Sequence, residues 1–188
     1  MAYLSYIPVP GICYVSEAID EDYERKLLEF LDKQDWSPVS SVGSRRVIHY
    51  GYRYHYMEKK VNQPAPEIPK EFDKLLSILK KYRTVPDTYE FNQCIVNEYL
   101  PGQGIAAHID DLQYGSYIAC YSLGSGIDLE FKKGTETWEL WTEPRSVYVM
   151  SGPARDTWTH QIRPRKFDYV DGVKTPRQRR ISITFRHV

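Results

Sequence analysis

The chain has 188 residues, 25 Lys+Arg against 25 Asp+Glu for a formal net charge of +0, 41% hydrophobic and 14% aromatic residues, and 16 tyrosines. That length excludes two full catalytic domains, the composition excludes a disordered chain, and the charge balance supplies no global pull toward a polyanion. Cys13, Cys94 and Cys120 are odd in number and not clustered with histidine, which predicts neither a disulfide framework nor a structural zinc site and points to a reducing compartment. Residues 1–8 show no basic region followed by an apolar core, and no apolar run approaches the roughly 18 residues of a membrane span. The expectation is a non-secreted, cytoplasmic or nuclear protein with no membrane partner.

The charge tie conceals an asymmetry. Residues 1–35 carry three basic and eight acidic side chains, residues 43–60 five basic and one acidic, and residues 145–188 ten basic and three acidic. The acidic segment predicts a helix from near Asp20 to Lys33, with acidic residues in its first turn and Tyr23, Leu27, Phe30 and Leu31 at helical spacing. A second helix is expected after Pro69, with Phe72, Leu75, Leu76 and Leu79 as its buried stripe and Lys80 and Lys81 at its end. From residue 90 onward the composition turns β-rich, with strands expected over 92–99, 117–123, 127–132, 137–141, 146–150 and 179–187. This is an α+β, mainly β pattern: an antiparallel double-sheet barrel buttressed by N-terminal helices. Pro64, Pro66 and Pro69 stiffen the link to the second helix without a composition shift, so residues 1–188 read as one domain, 1–90 holding helices and lid and 91–188 the core.

His108-Ile109-Asp110 follows the turn-rich Pro101-Gly102-Gln103-Gly104. In extended geometry residues 108 and 110 point to the same side, which sets an imidazole beside a carboxylate. His160 is the best third ligand, giving the two-histidine, one-carboxylate triad of non-haem Fe(II) with positions left open. Alone, the tripeptide is also explained by a surface loop. In the C-terminal strand Arg180, Ser182, Thr184 and Arg186 share one face and Ile181, Ile183 and Phe185 the other, the pattern of a strand that lines a pocket and packs a core. Arg180 and Arg186 lie about 20 Å apart along an extended strand. Leaning together, they permit bidentate clamping of a small dicarboxylate such as 2-oxoglutarate, while two solvated arginines on an edge strand are the alternative.

These residues, with Asn97-x-Tyr99, Gly104-Ile105, Ser122-Leu123-Gly124-Ser125, Arg155 through His160 and Arg180-x5-Arg186, occur in an order that resembles the AlkB family of Fe(II)- and 2-oxoglutarate-dependent dioxygenases. The resemblance implies a double-stranded β-helix (jelly roll), with O2 as co-substrate. It makes His108, Asp110 and His160 the iron ligands and catalytic centre. It makes Arg180 the partner of the distal 2-oxoglutarate carboxylate, Asn97 and Tyr99 its helpers, and places Arg186 near the proximal carboxylate and Asp110. Ser182 stands where some relatives have asparagine. The stretch Arg45-Arg46-Val47-Ile48-His49-Tyr50-Gly51-Tyr52 resembles the family's substrate lid, and with Trp158-Thr159-His160 and Arg165-Lys166-Phe167-Asp168 is most similar to the branch that hydroxylates a modified wobble uridine in tRNA.

The function implied is oxidation of alkyl groups on nucleobases of DNA or RNA by a monomer. Hydroxylation of a tRNA wobble uridine, a protein or peptide hydroxylase, and a non-catalytic binding module are the alternatives. Substrate contacts are expected from Arg45, Arg46, Tyr50, Tyr52 and Tyr54. Tyr50, Tyr52, Tyr54 and Tyr56 are all even positions and form one aromatic face of a strand, with Arg53, His55 and Gly51 on the other, suited to stacking on an extruded base or to a cross-strand tyrosine ladder. The basic connection 161–179 reads either as a phosphate contact or as a solvated loop. His49, His55 and His187 read as structural or substrate-side, and Trp36, Trp138 and Trp141 as core or interface.

Overall fold

Arg180–Arg186 runs through the middle of the larger sheet, between Gln93–Tyr99 on one side and Tyr117–Gly124 on the other, both antiparallel to it. The structure, a computed structural model, describes residues 4–5, 7–40, 44–58 and 60–188. Residues 1–3 of the N-terminal stretch and Lys59 of the second basic block lie outside them. Among the described residues this sheet has eight strands. Arg46–Tyr50 and Ser37–Pro38 extend it beyond Gln93–Tyr99, and Val147–Ser151, Ile12–Val15 and Leu4–Ser5 beyond Tyr117–Gly124. A four-stranded antiparallel sheet, in the order Glu136–Thr142, Ile127–Lys133, Thr159–Ile162, Ile105–His108, faces it. The result is the expected mainly-β jelly roll, and the N-terminal half supplies strands to both flanks of the larger sheet as well as helices.

Period-two alternation gives that sheet two different faces. Ile181, Ile183 and Phe185 are fully buried with Cys94, Val96, Ala119, Tyr121 and Leu123 against the helices. Their strand neighbours point the other way, into a second core between the sheets that contains Tyr99, Ile118, Cys120, Leu129, Phe131, Tyr148, Met150 and Ile162. The helix Glu21–Leu31 starts at Asp20, whose carboxylate accepts from the Tyr23 N–H at 2.8 Å, and it buries Leu27 and Leu31. Its one buried acid, Glu24, reaches the sheet and accepts from Gly124 N at 2.8 Å and from Arg145 Nη1. The helix Asp73–Lys81 enters through a 3-10 turn, Lys70–Phe72, and buries Leu75, Ile78 and Leu79.

Two expectations change. Gly51, at φ +73, breaks the tyrosine run: a Cβ there would lie 1.9 Å from Asn92 O, and the strand Arg46–Tyr50 ends before a hairpin, Tyr52–His55 with Lys60–Pro64, takes over. That hairpin is itself shifted in register between Arg53 and Tyr54. The segment 161–179 is neither a solvated loop nor a row of free cations. It holds the end of Thr159–Ile162 and the hairpin Phe167–Val170 with Val173–Pro176. Its arginines are paired within the protein: Arg163 with Glu130, Arg165 with Asp168 at 2.7 Å and Asp128 at 2.8 Å, Arg177 with fully buried Asp168 at 2.6 Å, and Arg179 with Glu98 at 2.7 Å. Burial, Asp168 and Glu139 push the Asp128 carboxyl up to about 6 against the pull of Arg165. Trp36 packs against the helix core and donates to Leu31 O, whereas Trp138, at 45% exposed, lies outside the core.

Phe72 joins helix and sheet, meeting Phe30, Tyr50 and Phe185 edge-on at 5.8–6.1 Å. Phe72→Ala is expected to lower stability by about 3–5 kcal/mol, measured by urea denaturation, because the rigid sheet cannot close over the cavity.

Candidate active site

The register Arg180↔Tyr99 and Ser182↔Asn97 places the polar face of Arg180–Arg186 beside the odd residues of Gln93–Tyr99. From the facing sheet, His108 at the end of Ile105–His108 is the direct cross-strand partner of His160, with ring centroids 4.3 Å apart. Asp110 lies in the loop that leaves this strand. His108, Asp110 and His160 offer ligand atoms all within 4.8 Å of one another. The pocket they open on is lined by Asn97, Tyr99, Arg180, Ser182, Arg186, Cys120 and Tyr148, so the predicted iron and 2-oxoglutarate residues converge.

The protonation states suit a cation. His108 Nδ1 lies 2.8 Å from Ala106 O. A carbonyl can only accept, so Nδ1 carries the proton and Nε2 keeps a free lone pair. Burial pulls His160 down to about 4; Asp110 opposes this, while His108, Arg186 and Arg155 reinforce it, so its ring is neutral. Burial works against ionising Asp110, but the Arg186 guanidinium beside it outweighs this and holds the carboxyl well below the ordinary range. Arg186 donates Nε and Nη2 to Asp110 Oδ1 at 3.1 and 2.8 Å.

Asp110 Oδ2, 3.4 Å from His160 Nε2, and His160 Nδ1, Arg180 Nη1, Arg186 Nη1 and the Tyr114 hydroxyl are buried here without a hydrogen-bond partner. Orphaned buried polar atoms are costly, and Asp110 Oδ2 with the two guanidinium donors matches what a bound cation and a dicarboxylate would satisfy. Arg180 donates Nε to Ser122 Oγ at 2.9 Å and lies over the Tyr99 ring at 5.5 Å. The two arginines therefore do not lean together along their strand. Arg186 is taken up by Asp110, and each arginine keeps one donor for the pocket.

The substrate-side expectations divide. Arg45 lies on the pocket side, donating Nε to Asn97 Oδ1 at 3.0 Å with its guanidinium 5.9 Å from the Tyr56 ring centre. Arg46 does not: its neighbours are Glu98, at 2.7 Å, and the Trp36 ring. Tyr50 is core, only 4% exposed and edge-on to Phe72, because residues 46, 48 and 50 face the helices. Tyr52 anchors the hairpin through its carbonyl, which accepts from Gln93 Nε2 at 3.3 Å. Tyr54 is half-buried, its ring 5.1 Å from that of Tyr56 and 6.2 Å from that of Tyr114. Tyr114, whose ring lies 4.7 Å from the Arg186 guanidinium carbon, was not foreseen, and nothing in its loop sequence marks it. Tyr148 alternates with Met150 against Val147 and Val149, a pattern that could have assigned it to the pocket face. His49 Nδ1 accepts from Tyr54 N at 3.4 Å and supports the hairpin, and His187 Nδ1 bonds Glu90 O.

A sequence model described as the 2OG-Fe(II) oxygenase superfamily matches residues 14–186. An uncharacterised protein, L905, of Acanthamoeba polyphaga mimivirus is 37% identical over 95% of this chain and 85% of its own length. The mouse tRNA (carboxymethyluridine(34)-5-O)-methyltransferase ALKBH8 is 35% identical over 95% of this chain and 30% of its own length. This chain belongs to the AlkB family of 2OG-Fe(II) oxygenases. It is a dioxygenase whose cofactors are Fe(II) and 2-oxoglutarate, and it spans under a third of the ALKBH8 relative. The fold agrees: the structure of OsALKBH1 superimposes with a TM-score of 0.76 over 99% of this chain and all of that one, at 17% identity. No helix among the described residues is long and apolar enough to cross a membrane.

His160 and His49 both have values lowered to about 4 from 6.5. Between those values the unfolded chain binds more protons than the folded one, so stability falls as pH drops through that window. The metal-free protein is expected to lose stability from pH 6.5 to 4 in denaturant titrations, the two histidines outweighing the opposite contribution of the raised Asp128 carboxyl below pH 6. His49→Gln, which keeps an acceptor for Tyr54 N, should flatten part of that slope.

Proposed function

We propose that this AlkB-family enzyme oxidises a carbon attached to a nucleobase, with His108, Asp110 and His160 holding Fe(II) and Arg180, Asn97, Tyr99, Ser182 and Arg186 holding 2-oxoglutarate. The observation that carries this reading is an aromatic cluster beside the pocket: half-buried Tyr54 meets half-buried Tyr56 and buried Tyr114, with Arg45 against Tyr56 and Arg186 against Tyr114. Planar rings next to guanidinium groups suit a flat, polar base turned out of its stack.

Bound Fe(II) with 2-oxoglutarate and O2 supplies oxidation of a substrate C–H bond, with 2-oxoglutarate converted to succinate and carbon dioxide. The residues here bind, orient and exclude water. Arg186 keeps Asp110 ionised and fixes its Oδ1, so that Oδ2 is the oxygen left for the cation. Arg180, held by Ser122, offers a buried, unpartnered Nη1 to the pocket as a charged donor. Apolar Ile118, Leu129, Met150 and Ile162 complete the lining and limit water around the reacting centre.

Where the oxidised carbon sits on nitrogen, the hydroxylated product collapses and releases formaldehyde; where it sits on carbon, the hydroxyl stays. The mouse relative is named for methyl transfer to carboxymethyluridine 34 of tRNA, so hydroxylation of a modified tRNA uridine is the other reading.

Incubation with alkylated oligonucleotides and with tRNA, with and without 2-oxoglutarate, separates these by mass spectrometry. Formaldehyde in step with succinate marks demethylation, and gain of one oxygen on the base marks hydroxylation. Succinate formation stimulated by neither nucleic acid would overturn the nucleobase reading. Asp110→Ala is expected to abolish Fe(II)-dependent succinate formation. Arg180→Met should weaken 2-oxoglutarate binding by about 30-fold or more, measured by calorimetry, since truncating one partner of a buried charge contact costs about 2 kcal/mol or more.

A further inference from the structure

Arg155 is 3% exposed and sits in the short helix Gly152–Asp156, five residues before His160. Its guanidinium donates to four carbonyls of a single loop: Nη1 to Asp110 O at 3.0 Å, Nη2 to Asp111 O at 2.6 Å and Tyr114 O at 3.1 Å, and Nε to Gly115 O at 3.4 Å. The nearest carboxylate is that of Asp156, 3.9 Å away and 61% exposed. Arg177, by contrast, is buried against the carboxylate of Asp168 on two bonds. A buried cation matched to carbonyls instead of a counter-ion is an expensive way to hold a loop. The planar five-donor fork explains the choice of arginine, because an ammonium cannot address four acceptors spread over six residues.

The loop begins with the carboxylate of the candidate metal site, and its far half meets the hairpin Tyr52–His55 with Lys60–Pro64, which continues the stretch that resembles a substrate lid and is taken as part of it. Gln113 Oε1 accepts from Val61 N at 3.4 Å, on the second strand of the lid hairpin, and the Tyr114 ring lies 6.2 Å from Tyr54. Arg155 thus ties the segment leading into His160 to the segment leaving Asp110, and the same grip fixes the surface on which the lid rests.

We propose that Arg155 is a positioning residue that sets the spacing between the Asp110 and His160 ligands and, through the same loop, docks the substrate lid. This rests on the iron site and is independent of which substrate the lid covers. Outer partners of metal ligands are typically worth about 10–100-fold in metal affinity.

The test is amide hydrogen exchange on the metal-free full chain, together with Co(II) binding followed by its visible absorption. The loop carries its own reporters: Tyr114 N bonds to Asp111 O, Gly115 N to His187 O, and Val61 N to Gln113. In Arg155→Ala, exchange at Tyr114, Gly115 and Val61 should rise about 10-fold or more while Gln93–Tyr99 and Arg180–Arg186 stay protected, and Co(II) affinity should fall about 10–100-fold. Arg155→Lys should restore part of both. If the alanine variant yields no folded protein, the lysine variant is read in the same two assays against the parent. Exchange that accelerates uniformly across both sheets would reduce Arg155 to a general structural role. Parent-like loop protection and Co(II) affinity in a folded variant would also overturn the proposal.

Discussion

Asp110 and Arg186 come from opposite sides of the sandwich, and the bonds of 2.8 and 3.1 Å between them join two charges that are both almost out of water. Burying either charge alone is unfavourable by several kcal/mol. The pair is retained because each half completes the other's geometry: the guanidinium fixes one carboxylate oxygen, and the remaining oxygen, Oδ2, is left buried and unpartnered toward the two histidines. A bound divalent cation would satisfy it. The pair also holds the mouth of the jelly roll at a fixed width, since Asp110 leaves the small sheet and Arg186 ends a central strand of the large one.

The larger sheet can present such a polar cluster because its other face is complete. Ile181, Ile183 and Phe185 pack against the helices with no exposure, so Arg180, Ser182, Thr184 and Arg186 are held rigidly on the opposite side by the same strand. Precision of the site is a by-product of packing on the far face. Slipping the register by one residue would exchange the two faces, putting arginines against Phe72 and Leu75. The helices therefore protect the chemistry without touching it.

This division was legible in the sequence wherever one strand ran unbroken. Residues 180–186 announced both faces, and His108, Asp110 and His160 converge as their types suggested. The tyrosine run failed for a local reason: Gly51 takes a positive φ that ends the strand, so counting even positions across it assigned Tyr50 to the wrong face. Alternation also separates Arg45 from Arg46, one on Asn97 and the other on Glu98, yet the two look equivalent as a dipeptide. Tyr114 and the carbonyl grip of Arg155 were invisible because a loop with no periodicity gives no direction to its side chains.

The charge pattern misled in a more instructive way. The basic excess of residues 145–188 lies largely in arginines that brace the fold, on Glu98, Asp128, Glu130 and Asp168. The planar fork suits this use, which needs fixed geometry against buried carboxylates. The cations left exposed and outside ion pairs among the described residues include Arg53, Lys60, Lys132, Lys133, Lys166 and Lys174, mostly lysines scattered over separate elements. Counterion release scales with the number of phosphates neutralised, so for the proposed nucleic-acid substrate such a surface gives shallow salt dependence. Recognition then falls to the half-buried rings of Tyr54 and Tyr56 and to the pocket beside them, where a base is held by its faces and its edge more than by the backbone that carries it.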